Sequence, residues 1–188
     1  MIIKRCRPDD RLKDIYVEAF PPEERREWDD MPVNDDAFAF YALIDNGRDS
    51  IFEIVDNLDK SWCKPDLFNC PECVVGLVTV WHFDAFRYIE HLAVSPSQRG
   101  RGIGAGVLSA LEGPLLLEVE PEETGEIACR RIAFYQRNGF HLLDADYVQP
   151  PYSPGLPEVP LKLMARGDIG DVRLAICTLH SRVYGRTV

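Results

Sequence analysis

The sequence predicts an α+β fold, with a mixed, mostly antiparallel central sheet flanked by helices. Strand-like and helix-like segments follow one another in the order β-α-α-β-β-β-α-β-α-β-β-α, which differs from the alternation of a parallel sheet. Residues 84–87 form a link short enough for a hairpin, and hairpins are antiparallel. The chain has 188 residues, long enough to close a good core, so we predict a single domain over residues 1–188.

The first third of the chain contains two predicted strands and two predicted helices. The first helix follows Pro8, where Asp9 can cap it, and its apolar residues recur at i, i+3, i+4 and i+7. The second helix is a short, highly charged segment after the stop at Pro21-Pro22. In chain order these segments are strand 2–6, helix 10–20, helix 23–28 and strand 37–44.

In the rest of the chain, predicted helices and strands alternate less regularly. Residues 48–72 are predicted as an insertion with a helix or strand of its own, and residues 150–160 hold too many prolines for a helix or central strand. Gly139 is a typical residue to follow a helix end. The remaining segments are strands 74–83 and 88–94, helix 103–111, strand 115–119, helix 126–138, strands 140–143 and 161–164, and a C-terminal helix within 168–188.

Composition and charge exclude several classes of function. The net charge is −10, from 21 Lys+Arg against 31 Asp+Glu, which argues against nonspecific binding to nucleic acid. No apolar run approaches the roughly 20 residues of a membrane span, so we expect no membrane partner. The N-terminus becomes charged at Lys4, too early for a secretory signal, and a cytoplasmic location is therefore expected.

The six cysteines are scattered, which argues against a disulfide framework in a cytoplasmic protein. Cys70 and Cys73 form a C-x-x-C pair with Cys63 upstream, and this spacing is one that zinc sites use. A second pair at suitable spacing is missing, and His82 would be a fourth ligand only if the fold brought it there. We therefore expect no metal.

The most informative segment is the glycine-rich run 97–108, which lies between an apolar strand and a helical pattern. Glycines expose the backbone N–H groups of a turn, and a helix N-terminus adds free N–H groups and partial positive charge, so this segment suits a phosphate. A Walker loop is excluded because no Lys follows the glycines. Gly100, Gly102 and Ala105 fit a dinucleotide fingerprint, but the preceding hairpin does not build the parallel sheet of that fold.

A third type of phosphate loop fits better. Arg99-x-x-Gly102-x-Gly104 resembles the R/Q-x-x-G-x-G/A motif of the GNAT-type N-acetyltransferases. Residues 90–96 resemble the fourth strand of that family and its exit, and residues 133–140 resemble the segment after its fifth strand. Residues 20–26 are similar to the substrate-side region of some bacterial members. The resemblance implies the acyl-CoA N-acyltransferase fold, in which strands four and five splay apart.

The resemblance implies acetyl-CoA as cosubstrate. Its pyrophosphate would lie on the loop and the helix start, and its pantetheine arm would pair with the main chain of the fourth strand, where splaying leaves backbone groups unpaired. The implied binding residues are Leu92, Ala93, Val94, Arg99, Gly100, Arg101, Gly102, Ile103 and Gly104.

The resemblance also assigns the chemistry. Glu90 is the implied base, acting directly or through water, and Tyr135 is the implied acid that protonates the sulfur of CoA. The Val94 N–H is the candidate for polarising the thioester carbonyl. Glu90 could instead be only a paired polar residue, and Tyr135 only a core aromatic residue. His91 is expected to be structural and to face the opposite side of the strand from Glu90.

The chain departs from the family pattern in the helix before Tyr135. Ala128 stands where the family often has Asn, and Arg131 stands where it has Ala, so a residue that usually helps to hold CoA is absent. Arg131 or its neighbour Arg130 could replace it. Glu118 and Glu120 could bind an ammonium or pair with these arginines, and we favour the salt bridges.

The sequence thus predicts an N-acetyltransferase acting on a primary amine of a small molecule or peptide. The acceptor site is expected in residues 21–28, 36–44 and 150–160, and the 48–72 insertion could shape that site or a homodimer contact. The alternatives are a non-catalytic acyl-CoA or nucleotide-sensing module of the same fold, and a dinucleotide-binding protein.

Overall fold

The computed structural model describes residues 1–47, 52–56 and 73–186. The chain divides into two compact units, and each unit is made of three separate segments of the sequence. Unit 1 comprises Met1–Phe20, Glu27–His82 and Glu90–Leu111, and unit 2 comprises Pro21–Arg26, Phe83–Ile89 and Glu112–Val188. The insertion predicted for residues 48–72 falls mostly outside the described ranges, and the part that is described contains one short strand.

Unit 1 is built on strands in the order β3-β1-β2-β4-β5. The β1–β2 and β2–β4 pairs are antiparallel, whereas the β1–β3 pair is parallel. Every residue of β2 is buried, so this strand lies in the core, and the expected contribution of residues 38–44 to an open acceptor site is not supported. The bounds are β1 Ile2–Arg5, β2 Phe38–Ile44, β3 Glu53–Val55, β4 Val74–His82 and β5 Arg87–Val94, whose last five residues belong to this unit.

Two α-helices lie among the residues of unit 1 that the structure describes. Helix α1, Asp10–Ala19, begins as predicted, because the side chain of Asp9 accepts a hydrogen bond from the backbone N–H of Arg11. Helix α1 buries Leu12 and Tyr16, which belong to the predicted apolar stripe. Helix α2, Ile103–Ala110, follows the glycine loop directly.

The predicted helix over residues 23–28 is wrong. This part of the chain instead forms two 3₁₀ turns, Pro22–Glu24 and Trp28–Asp30. The segment has no apolar residue between Glu23 and Glu27, and an isolated helix of so few residues is unstable without a face to bury.

In its described residues up to 186, unit 2 contains the first three residues of β5 and four further strands. Strand β5 pairs with β6 in parallel, β6 pairs with β9 antiparallel, and β9 also pairs with the short strands β7 and β8. The predicted mixed sheet with flanking helices is confirmed. The bounds are β6 Leu115–Val119, β7 His141–Leu142, β8 Tyr147–Gln149, β9 Val159–Arg166, α3 Glu126–Arg137 and α4 Val172–Thr178.

Unit 2 differs from the expectation in two places. Strand β8 was not predicted, and β9 begins earlier than residue 161 because it pairs with β8 over Val159–Leu161. The predicted C-terminal helix divides into α4 and a π-helical turn, Leu179–Val183, in which the Tyr184 N–H bonds to the Leu179 carbonyl at 3.2 Å.

Candidate functional site

Strand β5 offers its main chain where the sequence predicts the pantetheine arm. The parallel ladder to β6 covers Arg87 to Ile89 and ends at the pair Ile89–Leu117 in the described part of the chain. Beyond that pair, Glu90, Leu92 and Val94 are partly exposed, whereas the residues between them are buried. The Glu90 side chain itself is 0% exposed, so the accessible surface at this position belongs to the backbone.

Glycine at position 76 brings β4 close to this strand. A Cβ atom at Gly76 would overlap the carbonyl oxygen of Ala93 and would lie 3.2 Å from the Cα of Val94. Gly76 therefore allows β4 to approach the main chain of the predicted pantetheine-binding residues closely, a role that the sequence alone did not indicate.

The carboxylate of Glu90 is held by a neighbouring strand. Its Oε2 accepts a hydrogen bond of 3.0 Å from the indole Nε1 of Trp81 on β4. The Nδ1 of His91 lies 3.8 Å from the same oxygen, so the expected separation of the two side chains by strand alternation is wrong. The arrangement fixes the carboxylate in a buried position, where it could accept a proton that arrives through water.

His91 is surrounded by hydrogen-bond and ring partners within unit 1. One ring nitrogen is 3.2 Å from the Tyr16 hydroxyl and the other is 3.2 Å from the Thr79 hydroxyl. The ring also packs edge-on against Tyr16 and Phe20. These contacts agree with the structural role that the sequence suggested for His91.

The glycine loop has the backbone conformation that the motif requires. Gly100 and Gly102 have φ angles of +80° and +77°, in the left-handed region that favours glycine. A Cβ at either position would meet nothing within 4 Å, so open space lies beside this loop. Gly102 caps helix α2 without a side-chain hydrogen bond.

The N–H groups at the start of α2 are those that a phosphate would use. The first intrahelical hydrogen bond runs from the Gly106 N–H to the Gly102 carbonyl at 2.9 Å. The N–H groups of the residues before Gly106 therefore have no acceptor within the helix. None of the described residues accepts a hydrogen bond from Gly102, Ile103, Gly104 or Ala105. The Arg99 N–H, by contrast, donates a hydrogen bond to the Pro96 carbonyl at 3.3 Å, so this N–H group of the predicted phosphate site already has an acceptor.

The two loop arginines have protein partners. The Nε of Arg99 donates to the Val94 carbonyl at 3.1 Å, which links the loop to the end of β5. Arg101 pairs with Asp45 at 3.1 Å and also donates to Gln98. Hydrogen bonds from the Gly47 N–H and from Arg101 lower the pKa of Asp45. Binding of phosphate by these guanidinium groups stays a prediction.

Phe52 packs on the second turn of α2. A Cβ at Gly106 would overlap its aromatic ring, so the fourth glycine of the run is needed for packing rather than for phosphate. This contact comes from the described part of the insertion and was not predicted.

In unit 2, Tyr135 lies on α3 with 9% of its surface exposed. Its ring packs at steep angles against Phe134 and Phe140, with centroids 5.2 Å and 5.6 Å away. Burial raises the pKa of Tyr135, and the charge of Arg131 opposes that shift. A tyrosine that keeps its proton is suited to donate it, which is the role that the resemblance implies.

The arginines before Tyr135 form salt bridges within unit 2. Arg131 pairs with Glu120, and Arg130 pairs with Glu126 one helical turn away. The preferred expectation, that Glu120 holds an arginine, is therefore correct. It is wrong for Glu118, which bonds to tyrosine hydroxyls instead.

Sequence reasoning missed the surroundings of Glu118. Tyr184 donates to its Oε2 at 2.9 Å, and Tyr147 also donates to this carboxylate. The Tyr184 hydroxyl lies 3.3 Å from that of Tyr88 and 3.4 Å from that of Tyr152. We call these four residues the tyrosine cluster. They come from four segments with no common spacing, so no sequence signal was available.

Two segments predicted for the acceptor site meet beside this cluster. The guanidinium of Arg26 lies 4.9 Å from the ring centroid of Tyr152 and donates to the Val183 carbonyl at 2.6 Å. Gln149 donates to the Glu23 carbonyl at 3.0 Å. Residues 21–26 and the proline-rich segment are thus in contact, as a shared acceptor site requires.

The described residues bring together no group of three or more metal-binding side chains. Cys63 and Cys70 lie outside the described ranges, so the zinc alternative is not addressed. In the same ranges, none of the helices combines the length and apolar character needed to cross a membrane.

Comparisons with known proteins identify the family. Residues 67–142 match the family model "Acetyltransferase (GNAT) domain". The "Putative acetyltransferase YjbC" of Bacillus subtilis is 33% identical over 81 residues, which cover 41% of this chain and 42% of that protein. The chain therefore matches less than half the length of this curated relative.

Solved structures extend the likeness to nearly the whole chain. The Bacillus subtilis acetyltransferase in complex with CoA shares the fold, with a TM-score of 0.52 and 14% identity over 88% of this chain and 99% of that one. The "Putative acetyltransferase from GNAT family" of Bacteroides thetaiotaomicron is 35% identical and covers 94% of this chain and 91% of its own, with a TM-score of 0.72. The chain therefore belongs to the GNAT family of acetyltransferases.

Proposed function

We propose that this protein is an N-acetyltransferase that moves the acetyl group of acetyl-CoA to a primary amine of a small molecule or peptide. The observation that carries the proposal is the set of N–H groups at the start of α2, inside the Arg99-x-x-Gly102-x-Gly104 motif. Membership of the GNAT family supports it, as does the fold shared with a solved acetyltransferase that binds CoA.

The residues of unit 1 suit coenzyme A. Its pyrophosphate would accept hydrogen bonds from the N–H groups of Gly102, Ile103 and Gly104, where the helix dipole also favours negative charge. Its pantetheine amides would pair with the main chain of Leu92 and Val94, two residues that are partly exposed. When bound, acetyl-CoA supplies an activated acetyl thioester.

The chain's own residues would manage the protons. Glu90 would take one proton from the acceptor's ammonium, directly or through water, so that the nitrogen gains a lone pair for attack. The Val94 N–H would stabilise the charge that develops on the carbonyl oxygen. As the C–S bond breaks, Tyr135 would give its hydroxyl proton to the departing sulfur, and its raised pKa keeps that proton available at neutral pH. The nitrogen loses its second proton to solvent as the amide forms, and Tyr135 regains a proton from solvent.

A thermal-shift screen with acetyl-CoA, CoA, NADH and ATP tests the binding half of the proposal. A ligand that binds only the native state raises the melting temperature. We expect acetyl-CoA and CoA to raise it, and NADH and ATP to have little effect. Stabilisation by NADH without stabilisation by CoA would instead indicate a dinucleotide-binding protein.

An amine panel that detects free CoA thiol tests the catalytic half. At least one primary amine should release CoA from acetyl-CoA faster than hydrolysis alone. If CoA binds but no amine is acetylated, the protein is a non-catalytic acyl-CoA sensor.

A further inference from the structure

Two hydroxyl groups of the tyrosine cluster donate to Glu118, and the other two lie beside the Tyr184 hydroxyl. A tyrosine hydroxyl has one hydrogen, and that of Tyr184 is donated to the carboxylate. The Tyr184 oxygen then acts as acceptor for the hydroxyls of Tyr88 and Tyr152, 3.3 Å and 3.4 Å away. With Tyr147 as the second direct donor, the cluster stabilises a negative charge on Glu118.

A cation already lies against this cluster. The guanidinium carbon of Arg26 is 4.9 Å from the ring centroid of Tyr152, within the range of a cation–π interaction. The neighbouring carbonyl of Val183 accepts a hydrogen bond from the same side chain at 2.6 Å. The aromatic faces and carbonyl oxygens here are therefore suited to positive charge.

Part of this surface is accessible to solvent. Tyr88 and Tyr147 are buried, at 0% and 5% exposure, whereas Glu118, Tyr152 and Tyr184 keep accessible surface. Burial and the charge of Glu118 raise the pKa of Tyr147 and of Tyr184, so these hydroxyls remain donors across the neutral range.

We infer that Glu118 and the tyrosine cluster bind a cationic group of the acceptor that is separate from the reacting amine. A carboxylate favours the charged form of an ammonium beside it, whereas the reacting nitrogen must lose a proton before it attacks. The acceptor class is therefore an amine that carries a second ammonium or guanidinium group. This inference rests on the proposed function, because it names the substrate class of the same enzyme.

Ligand-detected NMR titration of the full chain at low ionic strength tests the inference without requiring turnover. The probes are 1,5-diaminopentane and 5-amino-1-pentanol, which differ in the charge of one end. Wild type should bind the diamine about tenfold more tightly, as expected for one charge-assisted contact. Glu118→Gln should abolish that preference, because an amide can still accept from the tyrosines but carries no charge.

Two further variants complete the test. Glu120→Gln, at the residue that directly follows β6 and pairs with Arg131, should keep the preference. Tyr152→Leu, in a loop outside β6, should weaken diamine binding about threefold. If Glu118→Gln does not fold, this variant tests the inference in its place. Equal binding of the two probes by wild type, or an unchanged preference in folded Glu118→Gln, would overturn the inference. Selective diamine binding without acetyl transfer would overturn the proposed function and leave the cation site standing.

Discussion

At the scale of single residues, Tyr135 combines tight packing with a hydroxyl that retains its proton. Replacement by Phe keeps the ring contacts with Phe134 and Phe140 and removes only the acid. We expect Tyr135→Phe to lower kcat by a factor of about 10² or more, the usual contribution of a general acid, with little change in melting temperature or in KM for acetyl-CoA. Steady-state kinetics with an identified amine and a thermal melt measure both.

The raised pKa of Tyr135 also predicts a pH dependence. The folded-state pKa lies above the ordinary value of about 10, so the hydroxyl stays protonated as pH rises toward that value. The ratio of wild-type to Tyr135→Phe rates should therefore be constant from pH 7 to about 9.5. A ratio that falls steadily over this range would show that the proton is lost earlier and that burial does not protect it.

Glu90 differs from Tyr135 because its carboxylate has a visible structural partner in Trp81. Glu90→Gln preserves an oxygen that can accept the indole N–H but cannot take a proton at neutral pH. If Glu90 is the base, the Glu90→Gln variant should have a kcat about 10²-fold lower than the wild type and an unchanged melting temperature. A drop in melting temperature with normal kcat would assign Glu90 to the core instead.

At the scale of elements, helix α2 depends on the contact between Gly106 and Phe52. Alanine is favoured over glycine inside a helix by up to about 1 kcal/mol, but a Cβ here would overlap the Phe52 ring. Gly106→Ala should therefore destabilise the wild type, yet stabilise the Phe52→Ala variant, in which the ring is gone. Chemical denaturation of the four proteins in this double-mutant cycle measures both effects. The same sign in both backgrounds would show that Phe52 does not pack on α2.

The elements that the sequence predicted best are those with local signals. Asp9 caps α1, glycines precede α2, and β6 lies at the predicted residues 115–119. Strand β8 was missed because it has only three residues and is stabilised by pairing with β9. The charged segment after Pro22 was misread because charge alone does not supply a face for a helix to bury.

At the scale of the whole molecule, the predicted site residues differ in how far the sequence could locate them. The glycine loop and β5 are contiguous in sequence, so their motif placed them together. Gly76, Phe52 and the tyrosine cluster act through contacts between distant segments, which spacing cannot reveal. The net charge of −10 does not identify an acceptor, and the inference of a cationic acceptor rests on the contacts of Glu118.

The central claim is that the N–H groups at the start of α2 bind the pyrophosphate of acetyl-CoA. Gly102 and Gly113 form a matched pair, because both have positive φ angles, +77° and +78°, and open space at the Cβ position. Alanine at either position should cost similar stability, on the order of 1 kcal/mol.

Calorimetric titration of acetyl-CoA into Gly102→Ala and Gly113→Ala tests that claim most directly. We predict an increase of at least tenfold in Kd for Gly102→Ala and wild-type affinity for Gly113→Ala, since only the first methyl group would stand between the loop and a phosphate. Equal affinities in the two folded variants would contradict the claim.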